Sequence, residues 1–192
     1  GQAFDQVILA TSAPHAAQVG MATAPSAPDS IADSLRAWAA GTQGLAHRAI
    51  TTVYAQAAPP AAGARLLRAP MLALASGPSA PAQFVFERDA IAPPADAPTG
   101  LLAFVVSNSA GERDALQAAL VAQAQAQLGL ALTPLLCVTE RRATFACTPG
   151  LQRPLARIAP GLLAAGDYIE GPYPATLEGA VRSGLHAAQA IG

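Results

Sequence analysis

Lysine is missing from this chain: all eleven cationic side chains are arginine, set against twelve Asp and Glu for a net charge of −1. No basic patch is present to neutralise phosphates, which excludes a nucleic-acid partner held by its backbone. Cysteine is scarce, and Cys137 and Cys147 have no C-x-x-C spacing, so the two read as buried thiols in a reducing compartment. His15, His47 and His186 lie far apart and form no H-x-x-x-H pair, so no metal is expected. Long apolar runs are missing too. Ala115 to Thr139 carries no charge, but Gln117, Gln123, Gln125, Gln127, Gly129 and Pro134 interrupt it, which argues against a membrane-spanning helix. No secretory n-region and h-region precede the first strand-like run. Nor does any G-x-G-x-x-G occur, so the chain holds no glycine-rich turn for a dinucleotide pyrophosphate.

What is present is a globular composition. With 52% hydrophobic residues over 192 positions, the chain can bury a sizeable core and is not a disordered tail. Abundant alanine together with arginine-only cations reads as the imprint of a GC-rich genome. Aromatic content is 5%, and the many Leu, Ala and Val residues suit either an ordinary core or an uncharged hydrocarbon ligand.

The most informative segment runs from Leu162 to Gly184. An apolar run ending at Gly166 reads as a buried parallel strand, delivering the Asp167 carboxylate to the C-terminal edge where open α/β sheets bind ligands. Pro172 and Pro174 then restrict the loop, and a helix begins near Ala175, its unpaired N–H groups and dipole favouring a negative partner. Gly179, Ser183 and Ala187 form one helical stripe and Ala180, Gly184 and Ala188 the next, so that something large could approach this backbone. Spacing alone leaves an ordinary alanine-rich helix behind a strand equally open.

The runs Ala165-Gly166-Asp167 and Tyr173-Pro174-Ala175-Thr176-Leu177-Glu178-Gly179-Ala180-Val181-Arg182-Ser183-Gly184 closely resemble the C-terminal flavin motif of the FAD-dependent amine oxidase and phytoene desaturase superfamily. Residues Phe4 to Thr11, Ala49 to Tyr54 and Arg141 to Gly150 look like its squalene-associated branch, the hydroxysqualene dehydroxylases of bacterial hopanoid synthesis. The resemblance implies FAD as cofactor. It matches Gly166 and Asp167 to the turn whose acid hydrogen-bonds the ribitol. It matches Ala175, Thr176 and Leu177 to the helix entry that approaches the flavin pyrimidine edge, and Ala10 and Thr11 to the strand end returning to the flavin domain. Tyr54 and Arg142 are substrate candidates in the matching strands, although a charged Glu140-Arg141-Arg142 cluster also suits a solvated strand edge. The catalytic residue stays unknown, with Glu140, Glu170 and Glu178 candidate general acids by type only.

Departures from the family pattern carry information as well. Many amine oxidases use a lysine near the flavin and an aromatic cage; here there is no lysine and the cage position is Thr176, so amine oxidation is disfavoured. A covalent flavin link through Cys147 is not expected. Without a glycine-rich turn, the chain reads as the C-terminal fragment of a longer enzyme whose partner is the missing N-terminal FAD-binding part. The fragment alone is expected neither to retain FAD nor to turn over.

The expected fold is α+β: a mixed or antiparallel substrate-domain sheet covered by helices, plus the C-terminal strand and helix of a Rossmann-like FAD-binding domain. The expected divisions are residues 1–20 as a returning strand of the FAD domain, 21–150 as the substrate-binding domain and 151–192 as the rest of the FAD domain. A Pro- and Ala-rich linker is expected from Met21 to Asp29, then a helix from Ile31 to Ala40 capped by Asp29 or Ser30 and ended by Gly41 or Gly44. Strands are expected at 50–56, 71–75, 83–87, 101–107 and 135–145, with a helix at 112–128 whose Leu116, Leu120, Ala124 and Leu128 form an apolar stripe. Functionally, the leading expectation is a flavoenzyme that removes hydroxyl from hydroxysqualene, with phytoene-type desaturation or amine oxidase-like chemistry as neighbours. A non-catalytic lipid- or partner-binding module stands as the alternative class. An apolar isoprenoid substrate would bring a cytoplasmic enzyme to the inner face of the membrane, although no basic amphipathic helix marks an anchor.

Overall fold

The computed structural model describes residues 2–61, 64–95 and 99–191, and the chain forms two compact units, 1–47 with 145–192, and 48–144. In the first unit, β1 (Val7–Leu9) pairs in parallel with β8 (Leu162–Ala164), and β8 pairs with β7 (Arg157–Ala159) in an antiparallel hairpin. Gly161 makes the hairpin turn with φ 75°, and a Cβ there would stand 2.9 Å from the Asp5 carbonyl oxygen, so glycine lets the turn lie against β1's approach. Beside this sheet lie α1 (Ala13–Thr23) and α2 (Asp29–Gln43). They meet through small residues: Ala13, Ala16, Ala17 and Gly20 on one, Ala32 and Ala39 on the other, all buried.

The chain between these two helices departs from the expected linker. Helix α1 continues through Thr23, and Ala24–Ser26 make a single 3-10 turn. Pro28, rather than Asp29 or Ser30, occupies the cap position of α2 and makes no side-chain cap bond. Pro14 and Pro25 each fall in a first helical turn, where a missing N–H costs nothing. Gly44 ends α2 as expected. The boundary expected at residue 21 therefore falls inside α1, and α2 belongs to the first unit, because Leu35 and Trp38 pack into the same core as Phe145, Ile158, Tyr168 and Ile169. Trp38 also donates its Nε1–H to the Leu155 carbonyl, 2.8 Å away. The chain returns to this unit at residue 145 rather than 151.

The second unit is a five-stranded sheet of order β3-β4-β5-β2-β6, formed by β2 (His47–Gln56), β3 (Met71–Ala73), β4 (Phe84–Glu87), β5 (Leu101–Ser107) and β6 (Thr133–Phe145). The pairs β3–β4, β4–β5 and β5–β2 are antiparallel. One turn of helix, α3 (Arg88–Ile91), follows β4, and α4 (Arg113–Leu128) covers one face. Period-two alternation decides that face: Thr51, Val53 and Ala55 are buried, and Thr52, Tyr54 and Gln56 are half-buried on the other side. Leu120 and Ala124 pack on Val53, Ala55, Leu102, Phe104 and Cys137, with Leu116 and Leu128 at the margin, so the four-residue stripe forms this core.

Two buried polar side chains fasten loops to this sheet. Gln123 accepts from the Ala82 N–H at 2.9 Å and donates to the carbonyls of Ala82 and Ala75. Glu87, 3% exposed, accepts from the N–H groups of Leu66 and Leu67 at 2.9 and 3.2 Å. Among the described residues no helix is long and apolar enough to cross a membrane. Of the two thiols expected to be buried, Cys137 is buried in the α4-covered core, but Cys147 is exposed in the segment after β6, where no element covers it.

Candidate functional site

The parallel pairing of β1 and β8 brings two distant pieces of sequence to one sheet edge. Leu9 stands opposite Ala164, and the ladder continues one step further as Ala165 donates to the Leu9 carbonyl at 3.1 Å. Ala10 and Thr11 therefore leave the sheet at the same end as Gly166 and Asp167. At Gly166 the Tyr168 ring folds back over the backbone, and a Cβ would lie 2.4 Å from Tyr168 Cε1, so this turn requires glycine. The Gly166 N–H donates to Ser183 Oγ at 3.2 Å, tying the turn to the final helix.

That helix is α5 (Leu177–Gln189), and its start is built with little freedom. Thr176 is the N-cap: its Oγ1 accepts from the Gly179 N–H at 3.0 Å and donates to the Tyr173 carbonyl at 2.7 Å. A Cβ on Gly179 would stand 2.2 Å from that same carbonyl oxygen. Ala180 N–H bonds the Thr176 carbonyl, and the Ala175 N–H bonds the Asp167 carbonyl at 3.3 Å. The first two helical N–H groups, of Leu177 and Glu178, have no protein partner among the described residues. Asp167, half-buried at the sheet edge, and these two unpaired donors thus stand at the same end of the unit. A carboxylate acceptor with a free donor pair suits a ligand offering hydroxyls at one place and negative charge at another.

The loop between Asp167 and Thr176 is strained. Tyr173 and Ala175 both adopt the left-handed region with φ 57°, at a cost of roughly 1–2 kcal/mol each for residues with a Cβ. Tyr168 is buried, and its hydroxyl has no partner among the described residues. Burial, and secondarily the Asp167 charge, pushes its pKa up to about 12.

The expected small-residue stripes serve the protein's own backbone. Gly179 admits the Tyr173 carbonyl, Ser183 holds Gly166, and Ala187 is buried against Leu163 and Ala165. On the second stripe, a Cβ at Gly184 would meet nothing within 4 Å. Beside α5 opens a groove of about 610 Å³, lined by Leu155, Ile169, Glu170, Arg182, Leu185 and His186 among others.

The two substrate candidates lie in the second unit. Tyr54 is half-buried on the sheet face away from α4. On β6, Cys137 points into the α4-covered core, so alternation sets Arg142 on the same face as Tyr54. Arg142 is exposed, and its backbone N–H donates to Glu140 Oε1 at 2.9 Å. Of the general-acid candidates, Glu178 is paired with Arg182 at 2.5 Å and Glu140 accepts from Arg142, while Glu170 is exposed beside the groove. Sequence reasoning missed Tyr168, Arg153 and Arg182. Only Arg182 carried a local signal, its spacing of four from Glu178.

A family model described as flavin containing amine oxidoreductase matches residues 1–192. A hydroxysqualene dehydroxylase from Rhodopseudomonas palustris is 43% identical over 67 residues, covering 31% of this chain and 15% of that protein. Two solved structures share the fold. A protein from Exiguobacterium sp. 255-15 assigned to the protoporphyrinogen oxidases superposes with a TM-score of 0.61 at 16% identity, over 97% of this chain and 41% of that one. An oxidoreductase from Methanosarcina mazei gives 0.59 at 19% identity, over 98% and 43%. The chain spans less than half the length of these relatives.

Proposed function

The chain belongs to the family of flavin-containing amine oxidoreductases, and from that membership we propose that it is part of an FAD enzyme acting on a polyisoprenoid. The proposed reaction is reductive dehydroxylation of hydroxysqualene to squalene, a step of hopanoid synthesis. The observation that carries the cofactor assignment is the presence of the Asp167 carboxylate and the unpaired N–H groups of Leu177 and Glu178 at one sheet edge. Asp167 accepts hydrogen bonds from ribityl hydroxyls, and the two N–H groups with the dipole of α5 stabilise negative charge at the pyrimidine edge. When bound, reduced FAD supplies hydride from N5 to the carbon that has lost its hydroxyl.

The substrate class rests on three features. The dehydroxylase similarity covers part of the chain. The residue before α5 is a threonine committed to capping, so it offers no ring to a substrate ammonium. The exposed aromatic nearest that helix, Tyr173, already carries the Arg182 guanidinium 5.1 Å from its ring centroid. A resident cation over one face of the ring competes with a cationic amine for it, whereas an uncharged isoprenoid needs no such face. Glu170, whose carboxylate has no partner among the described residues and lies beside the groove, is the candidate acid for the departing hydroxyl. Because no glycine-rich pyrophosphate turn lies within the 192 residues, the chain alone does not hold FAD in this reading.

The test is visible absorbance of the protein expressed from its complete reading frame, beside Asp167→Ala. Bound flavin whose dissociation constant rises roughly tenfold or more in the variant is expected for loss of a charge-assisted hydrogen bond. Conversion of hydroxysqualene to squalene under reducing conditions completes it. A flavin-free wild type would sink the proposal and leave a lipid- or partner-binding module.

A further inference from the structure

Strained backbone persists only where its surroundings over-determine it, and the loop from Ile169 to Thr176 is gripped at both ends by arginines outside it. At its entrance Arg153 donates through Nη1 to the Ile169 carbonyl at 2.7 Å and through Nη2 to the Gly171 carbonyl. Between those contacts the Glu170 N–H donates to the Pro154 carbonyl at 2.9 Å, so the segment is tied from two sides. At its exit Arg182 reaches back from α5: Nε bonds Glu178 Oε1 at 2.5 Å while the guanidinium lies over the Tyr173 ring. Tyr173 is one of the two left-handed residues, and its carbonyl accepts the hydroxyl proton of the α5 cap.

We propose that Arg153 and Arg182 are positioning residues that hold the 169–176 loop in the single conformation that turns Asp167 and the N–H groups of Leu177 and Glu178 toward one ligand. This rests on the flavin reading above. Neither arginine touches the ligand in this assignment; each acts through backbone it restrains. A lysine could not replace Arg153, because two carbonyls two residues apart call for a planar fork of donors, and an ammonium offers a single point charge. At Arg182 the same planarity allows one group to stack on Tyr173 and bond Glu178 together.

The test compares wild type with Arg153→Ala, Arg153→Lys, Arg182→Ala and Tyr173→Ala, using the protein from its complete reading frame. Arg36→Ala, which removes an exposed pair with Asp33 on α2, serves as the control. Amide hydrogen exchange of the 169–179 segment is read in flavin-free protein, and the FAD dissociation constant and reduction potential are read after addition of FAD. The expected result is exchange roughly tenfold faster in that segment and FAD binding roughly tenfold weaker for the alanine variants. The potential should move to more negative values, since misaligned N–H groups stabilise the reduced cofactor less. Arg153→Lys should fail to rescue, and Arg36→Ala should match wild type. Unchanged exchange would overturn the clamp; faster exchange with unchanged affinity and potential would overturn the positioning role. A wild type that takes up no FAD would overturn the positioning role through the flavin reading itself, while the exchange comparison would still decide whether the arginines clamp the loop. Tyr173→Ala keeps both arginines, so it decides the Arg182 half even if an arginine variant does not fold.

Discussion

The two units put their polar groups to opposite uses. In the 48–144 unit, buried side-chain polarity closes on itself: Gln123 satisfies both edges of the Ala82 peptide, and Glu87 takes the N–H groups of Leu66 and Leu67. In the other unit, backbone groups are left open at a sheet edge. The N–H groups of Leu177 and Glu178 have no partner among the described residues, and the loop before them carries conformational strain at Tyr173 and Ala175. Under the flavin proposal, the difference separates the scaffold of one unit from the cofactor edge of the other. Buried polar groups must find partners inside the fold, whereas exposed first-turn N–H groups stay open to water or to a ligand.

The sharpest way to break this contrast is Gly179→Ala. Its Cβ would overlap the Tyr173 carbonyl oxygen, and backbone cannot yield as a side-chain tip can, so a loss of at least about 3 kcal/mol is expected. Chemical denaturation measures it; a loss under 1 kcal/mol would mean the loop relaxes cheaply and is not preset. Next in size is Gln123→Ala in the scaffold unit. It strands the Ala82 N–H in a buried position and opens a cavity, for roughly 2–4 kcal/mol. FAD affinity should stay unchanged, and a change there would show that the units do not divide the labour as argued.

The smallest effect sharpens the comparison by pH. Tyr168 has a pKa raised from 10.0 to about 12 in the folded protein, so the neutral phenol is favoured by folding. Its contribution to stability is fully present below pH 10 and is lost as pH rises toward 12, at up to about 1.4 kcal/mol per unit. Tyr168→Phe should remove that alkaline dependence. At pH 7 it should change stability by no more than about 1 kcal/mol, because the hydroxyl it deletes has no partner among the described residues. A large loss at neutral pH, read from thermal melts, would show that the hydroxyl does bond inside the fold.

Legibility followed the range of the interactions. The run ending in Gly166 and the four-residue stripe of α4 could be read because each is set by local pattern or period, and Gly44 marked the end of α2 although it keeps ordinary helical angles there. The join between α1 and α2 was misread: Pro25 and Pro28 made 21–29 look like a linker, yet Pro25 falls in the first turn of the 3-10 helix and Pro28 caps α2. Buried alanines then draw both helices against the sheet of the first unit. Gln123 looked like one more polar helix residue until its partners in the 75–82 loop became visible.

By itself the sequence determined most local elements and the residue types at the candidate site: a strand leading to Gly-Asp, a helix starting near Ala175, and no lysine or glycine-rich turn. These follow from near-neighbour sterics and from composition. Tertiary structure alone decided that Ala10 and Thr11 share an edge with Asp167, that Tyr173 and Ala175 take left-handed backbone despite their side chains, and that Arg153 reaches across to Ile169 and Gly171. Each of these depends on groups far apart in the chain, and a left-handed alanine is chosen only when contacts from outside its own segment outweigh its local preference.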